Sequence, residues 1–341
     1  MWGVSLTRFV TKNDKLVIIT AIIAFFHTLL SALNYHEGGF EYFKPFILFL
    51  CTLIYFSFIG KVSLGRIVKK YIFYLNLLLS LYVIYFFETH QSQVFEFNNI
   101  RVDYLVLNMD NPNKAALFLS CLFFNISLFL FEIKKKLFRL LLVVDITMII
   151  YLINLTEARN ALLAIVMFVI IVIFHRRFEK IPKWELVILS ILPLLFAVIY
   201  MLFINTVINW GLFDFLISKG KDLDSRILIW KEGFDGFFEH PLLGSYYQIL
   251  RVYSYASLHN THLHVLVAYG LIPFFLFVKL LYNILKDASN QMSGNLLKQI
   301  GFIAFVAIVF LGCGEASMVL GTQGLYILQG SVLLLTTSNR N

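Results

Sequence analysis

Residues 185–207 read ELVILSILPLLFAVIYMLFINTV. After Glu185 the run holds no charged side chain, and it is long enough to cross a bilayer as one helix. About 20 apolar residues suffice, because a helix satisfies its own backbone where lipid offers no partner. Nine more such runs lie near 16–34, 43–60, 70–87, 115–133, 138–155, 160–175, 261–284, 299–314 and 318–337. In chain order the sixth and ninth are short. The expected fold is all-α, a polytopic transmembrane helix bundle of about ten spans.

Composition points the same way. The 341 residues are 60% hydrophobic, 17% aromatic and only 14% charged, where soluble proteins carry about 25% charged residues. Mean hydropathy is +0.81. A soluble enzyme, a disordered chain and a coiled coil are excluded. The net charge of +8 would raise nucleic acid in a soluble chain, so its placement matters. With the N-terminus inside, 18 Lys and Arg fall in inside segments and 9 in outside segments, Lys279 lying within the eighth span. That asymmetry is the one basic residues impose on topology, and it predicts both termini in the cytoplasm. The inside then carries +13 and the outside −5. The basic pI of about 9.2 is a topology signal and gives no reason to expect a nucleic-acid partner. Cys51, Cys121 and Cys313 lie in apolar runs and read as small hydrophobes. No cleavable signal follows the first run, and neither repeat nor linker divides the chain. One integral membrane domain, 1–341, is expected.

Two outside segments are long, 88–114 and 208–260. A loop of that second length should carry structure of its own. Within it, Asp224 or Ser225 is a candidate N-cap, after which Ile227, Trp230, Phe234, Phe237 and Phe238 recur at helical spacing and Pro241 follows. This predicts an amphipathic helix, lying on the outer membrane surface or packed flat as a lid. Three histidines follow in Ser257-Leu258-His259-Asn260-Thr261-His262-Leu263-His264. His259 and His262 have i,i+3 spacing, as zinc ligands on one helix face do, but no acidic cluster or cysteine pair adjoins. A general base is the second reading, since imidazole titrates near neutral pH; helix capping at the interface is the third. Arg159, in a tight outer turn, offers planar donors suited to phosphate, or snorkels beside Glu157. Asp145 lies within the fifth span and should face the bundle interior. Glu315, after Gly312-Cys313-Gly314, reads as a solvated carboxylate at a helix end.

The order and spacing of these residues resemble the bacterial O-antigen ligase and O-antigen/capsule (Wzy-type) polymerase superfamily of GT-C-like membrane glycosyltransferases. Arg226, Trp230, Pro241-x-x-Gly244, His259-Asn260 and Gly270 keep the family's spacing. Upstream, Pro112-Asn113-Lys114-Ala115-Ala116 is similar to its Pro-Asn-x-x-Ala helix start, and Ala158-Arg159-Asn160-Ala161 to its Ser-Arg-Gly-Ala turn. Asn160 stands where Gly is usual, Tyr246 replaces the second Gly after Pro-x-x-Gly, and Pro273 replaces the Gly that closes Gly-x-x-Gly. Ligases keep that last motif better, so these departures favour a polymerase.

The resemblance implies an enzyme of the bacterial inner membrane, with its active site on the extracytoplasmic face. It would transfer glycan with inversion from undecaprenyl diphosphate to a hydroxyl of another lipid-linked repeat unit, building lipopolysaccharide O-antigen or capsule. It implies no metal, cofactor or nucleotide sugar. Arg159 and Arg226 would hold diphosphate and His259 would be the base or orient the acceptor. Arg251, His262, Trp230, Tyr247 and Asn260 would contact substrate, with Tyr246 a further aromatic for sugar stacking. Besides lipid-linked donor and acceptor and the bilayer, a chain-length regulator is the implied protein partner. A ligase, a lipid-linked oligosaccharide flippase and a metal-dependent membrane glycosyltransferase are the alternatives. A transporter wants polar groups near mid-membrane, whereas this chain gathers its polar candidates at the outer surface.

Overall fold

A computed structural model describes residues 5–6, 12–34, 43–59, 62–63, 66–89, 93–97, 100–104, 107, 111–174, 181–209, 224–242, 244, 257–292, 294–319, 328–332 and 336. Eleven helices account for most of them: α1 (Lys12–Asn34), α2 (Phe43–Ile59), α3 (Arg66–Thr89), α4 (Pro112–Leu130), α5 (Lys136–Leu155), α6 (Arg159–Ile173), α7 (Lys183–Asn209), α8 (Asp224–Glu239), α9 (Thr261–Tyr269), α10 (Leu271–Asn290) and α11 (Leu296–Leu311). Residues 328–332 add a short helical turn. Two small antiparallel ladders accompany the helices, β1 (Ser5–Leu6) with β2 (Val62–Ser63) and β3 (Gln93–Phe97) with β4 (Ile100–Tyr104).

Four stretches are long and apolar enough to cross a membrane: Lys69–Phe87, Pro112–Leu130, Lys136–Leu155 and Lys183–Phe203. Lys15–Phe26, Phe46–Tyr55, Arg159–Ile173 and Leu296–Leu311 are shorter apolar helices. The run expected as a single span over 261–284 is instead two helices, broken at Gly270, whose φ of +80° ends α9. Most of the last expected run, 318–337, lies outside the described residues.

Local chemistry explains where the helices begin. Asn111 caps α4, its Oδ1 accepting from the Asn113 N–H at 2.7 Å, with Pro112 in the first turn where its missing N–H costs nothing. Asn260 caps α9 in the same way, accepting from the Leu263 N–H at 2.9 Å. Between α5 and α6 the chain reverses within three residues. Glu157 takes φ +52°, and the Thr156 hydroxyl accepts from the Ala158 N–H.

Burial sorts the helices into centre and periphery. From Ala115 to Phe129 every residue of α4 is buried, as is all of α9, and α11 is buried almost throughout. Around this core, α3 and α5 turn Tyr71, Leu78, Leu140 and Val144 outward, an apolar surface of the kind that faces lipid. Asp145 is buried as expected, accepting from the Ser80 hydroxyl of α3. α8 directs Ile229, Trp230, Gly233 and Gly236 inward and packs on α9 and α7. Its most buried face therefore meets protein, while Leu228 and Phe238 stay exposed.

Candidate active site

One end of the bundle brings together the N-terminus of α6, the start of α8, residues 257–260 before α9, and the chain leaving α11. Residues 312–319 are non-helical, and all but Glu315 are buried. Backbone of this kind is tolerated at membrane depth only when protein satisfies it, and here the N-terminus of α9 does so. The Thr261 N–H donates to the Gly312 carbonyl at 2.9 Å and its hydroxyl to the Glu315 carbonyl at 3.0 Å. The Asn260 amide donates to the Cys313 carbonyl at 3.2 Å.

This clamp sets two charged contacts. His259 Nδ1 lies 3.0 Å from Glu315 Oε2, and Arg226 Nη2 lies 3.6 Å from Glu315 Oε1. The carboxylate is 12% exposed, while His259 and Arg226 remain 28% and 35% exposed. Glu315 is thus a half-buried partner of Arg226 and His259, which corrects the reading of it as a solvated helix-end carboxylate. Gly314 makes the convergence possible: a β-carbon there would sit 2.8 Å from Asn160 Cγ and 3.1 Å from Arg226 Nη1. The Asn160 amide in turn donates to the Leu311 carbonyl at 2.9 Å. Arg159, half-buried, is the first residue of α6 and the immediate neighbour of Asn160.

The other expected site residues divide into two groups. Trp230 is 1% exposed, its indole N–H donates to the Leu258 carbonyl at 2.8 Å, and its ring packs edge-on against Tyr200 and Phe196. Asn260 is fully buried. Its oxygen caps α9 and its amide reaches both Cys313 and, at 2.7 Å, the Pro193 carbonyl of α7. His262 is fully buried, with Nε2 2.7 Å from the Ser190 carbonyl and its ring between Phe274 and Phe277. All three therefore engage protein groups behind the open surface. Arg251, Tyr246 and Tyr247 lie outside the described residues.

His259 is not on the face of α9 that carries His262. It precedes the cap, at φ +50°, and turns to Glu315 while His262 turns to α7. The i,i+3 spacing therefore does not make a shared ligand pair. Among the described residues no group of three or more His, Cys, Asp and Glu side chains is placed to hold a metal ion.

The glycines of the motif serve close packing. Gly244 and Gly270 both have positive φ. A β-carbon on Gly244 would come within 2.7 Å of the Tyr269 nitrogen and the Val267 carbonyl, and one on Gly270 within 2.8 Å of the Gly244 nitrogen. The Leu271 N–H donates to the Pro241 carbonyl at 2.9 Å. The Pro-x-x-Gly turn is thereby pressed onto the break between α9 and α10.

The described residues thus form a helical bundle with four candidate membrane spans and a His, Arg and Glu cluster at one end. Residues 143–278 are similar to the family model described as O-antigen ligase. The matched stretch contains Arg159, Arg226, His259 and Asn260; Glu315 lies beyond it. Searches of curated proteins and of solved structures return no match.

Sequence reasoning missed Glu315 and Pro193. A signal existed for each. Gly312 and Gly314 flank Cys313 just before Glu315 at the end of an apolar helix, and a proline lies inside the most apolar span.

Proposed function

We propose that the protein polymerises lipid-linked polysaccharide repeat units on the extracytoplasmic face of the bacterial inner membrane. It would transfer the growing glycan from undecaprenyl diphosphate to a sugar hydroxyl of another lipid-linked unit. The observation that carries this reading is the convergence of His259 and Arg226 on Glu315, beside the α6 terminus that bears Arg159. In the reaction, the acceptor oxygen attacks the anomeric carbon from the face opposite the diphosphate and its proton passes to His259. The bond from that carbon to the phosphate oxygen breaks, and its electron pair leaves with undecaprenyl diphosphate. Arg226 and Arg159 would stabilise the departing charge, as preorganised cations do where charge develops. Trp230, Asn260 and His262 hold the segment bearing His259. Arg251 and Tyr247 remain proposed contacts for the sugars, and a chain-length regulator the proposed partner.

The family description favours a second reading, a ligase that moves finished glycan onto an acceptor. A deletion strain separates the two. Loss of a polymerase leaves single repeat units on the surface glycolipid and removes the long-chain ladder; loss of a ligase leaves the acceptor bare while lipid-linked chains accumulate. His259→Ala, Arg159→Ala and Arg226→Ala should each reproduce the deletion phenotype at normal protein levels. An intact ladder in all three would sink the site assignment.

A further inference from the structure

Glu315 has no part in the reaction as written, yet His259 and Arg226 both turn to it. Its backbone is fixed by groups that do not titrate, Thr261 and the loop carbonyls of 312 and 313 held by α9. Its two oxygens are used differently. Oε2 makes a hydrogen-bond-length contact with His259 Nδ1, whereas Oε1 is buried, without a hydrogen-bond partner, and only 3.6 Å from Arg226. A carboxylate held behind an imidazole keeps the proton on the nitrogen it faces and presents the other nitrogen's lone pair outward. A guanidinium paired at 3.6 Å is not engaged by a hydrogen bond, so its donors remain open to an oxyanion.

We propose that Glu315 is a positioning residue that links the two halves of the site. It fixes His259 with Nε2 as the proton acceptor, and it holds Arg226 loosely until a diphosphate takes the guanidinium. Glu315 then faces His259 and stabilises the imidazolium that forms as the acceptor hydroxyl gives up its proton. Donor capture at Arg226 is thereby coupled to proton transfer at His259. This rests on the transferase reading above.

The test uses the purified full-length protein in lipid nanodiscs, with lipid-linked repeat units as substrate and undecaprenyl diphosphate as binding probe. Glu315→Gln should lower kcat on the order of 10²-fold while KM for the donor stays level or falls, because Arg226 is released from its only described carboxylate partner. The probe should bind this variant at least as tightly as wild type, and bind Arg226→Ala at least about tenfold more weakly. Glu315→Asp should recover about tenfold of the lost kcat, since it restores the charge one methylene short. A kcat within about threefold of wild type in Glu315→Gln, or a KM that rises as kcat falls with weaker probe binding, overturns the coupling even when His259→Ala and Arg226→Ala are inactive. Should Glu315→Gln fold poorly, Glu315→Asp carries the same test: lowered kcat at unchanged KM supports the role, and equal loss in both overturns it. If wild type binds no probe and His259→Ala stays active, the transferase reading falls and this proposal with it.

Discussion

His259 sits at φ +50°, a conformation that costs a side chain bearing a β-carbon roughly 1–3 kcal/mol. Its neighbours keep it there. The Ser257 hydroxyl accepts from its N–H at 3.1 Å, Trp230 holds the carbonyl of Leu258, and Asn260 is anchored on three elements. Trp230→Phe keeps most of the packing and leaves the Leu258 carbonyl without that donor, so it should cost about 1–3 kcal/mol and lower turnover, read as a fall in unfolding temperature with a slower ladder assay. An unchanged unfolding temperature would mean water replaces the indole. At this scale, Arg226 and His259 were legible because their spacing to Trp230, Gly244 and Gly270 is a pattern in one dimension. Glu315 was not, because it lies 56 positions from its nearer partner and a carboxylate at a helix end looks the same in sequence whether water or an imidazole faces it.

A proline inside one helix and a break between two others lie beside the candidate site. Pro193 lies inside α7, where its missing N–H weakens the local ladder. The carbonyls of Ser190 and Pro193 are the ones that receive His262 and Asn260. Pro193→Ala returns an N–H for the Leu189 carbonyl and should strengthen α7 as a helix, yet reduce activity several-fold by shifting the neighbouring Ser190 and Pro193 carbonyls that receive His262 and Asn260; equal or higher activity would show that the proline has no bearing on the site. Gly270 gives a sharper contrast. Gly270→Ala combines a positive φ with backbone overlap against Leu242 and Gly244, whereas Gly294→Ala carries positive φ with nothing within 4 Å. The second should cost about 1 kcal/mol and the first clearly more, measured as thermal unfolding of the detergent-solubilised protein. Apolar runs made α4 and α5 readable in advance, whereas the cap at Asn260 was read as a substrate contact. The break at Gly270 was not readable, since 261–284 is an unbroken apolar run and only the docking of the Pro241–Gly244 turn requires the glycine there.

For the whole molecule, the arrangement of charge predicts sidedness. A membrane-impermeant thiol reagent applied to intact spheroplasts, in a background without native cysteines, should label Lys219→Cys and spare Arg177→Cys. Labelling of both or only the second would reverse the proposed orientation. Asp145 offers a test of packing. Asp145→Asn keeps an oxygen for the Ser80 hydroxyl and should be tolerated, while Asp145→Leu leaves that hydroxyl facing a side chain that cannot accept and should cost about 1–3 kcal/mol, read from folded yield. The sequence by itself determined that the chain is helical with runs apolar enough for a membrane, that a helix starts near Pro112, and which His and Arg bear the motif, because these depend on composition and on spacing along the chain. Only the tertiary structure decided which polar residues open to the site and which brace it. Trp230, Asn260 and His262 were indistinguishable from surface groups until the fold presented the carbonyls of Leu258, of Pro193 and Cys313, and of Ser190 to them, and Glu315 gained its partners only when the end of α11 was tied to the start of α9.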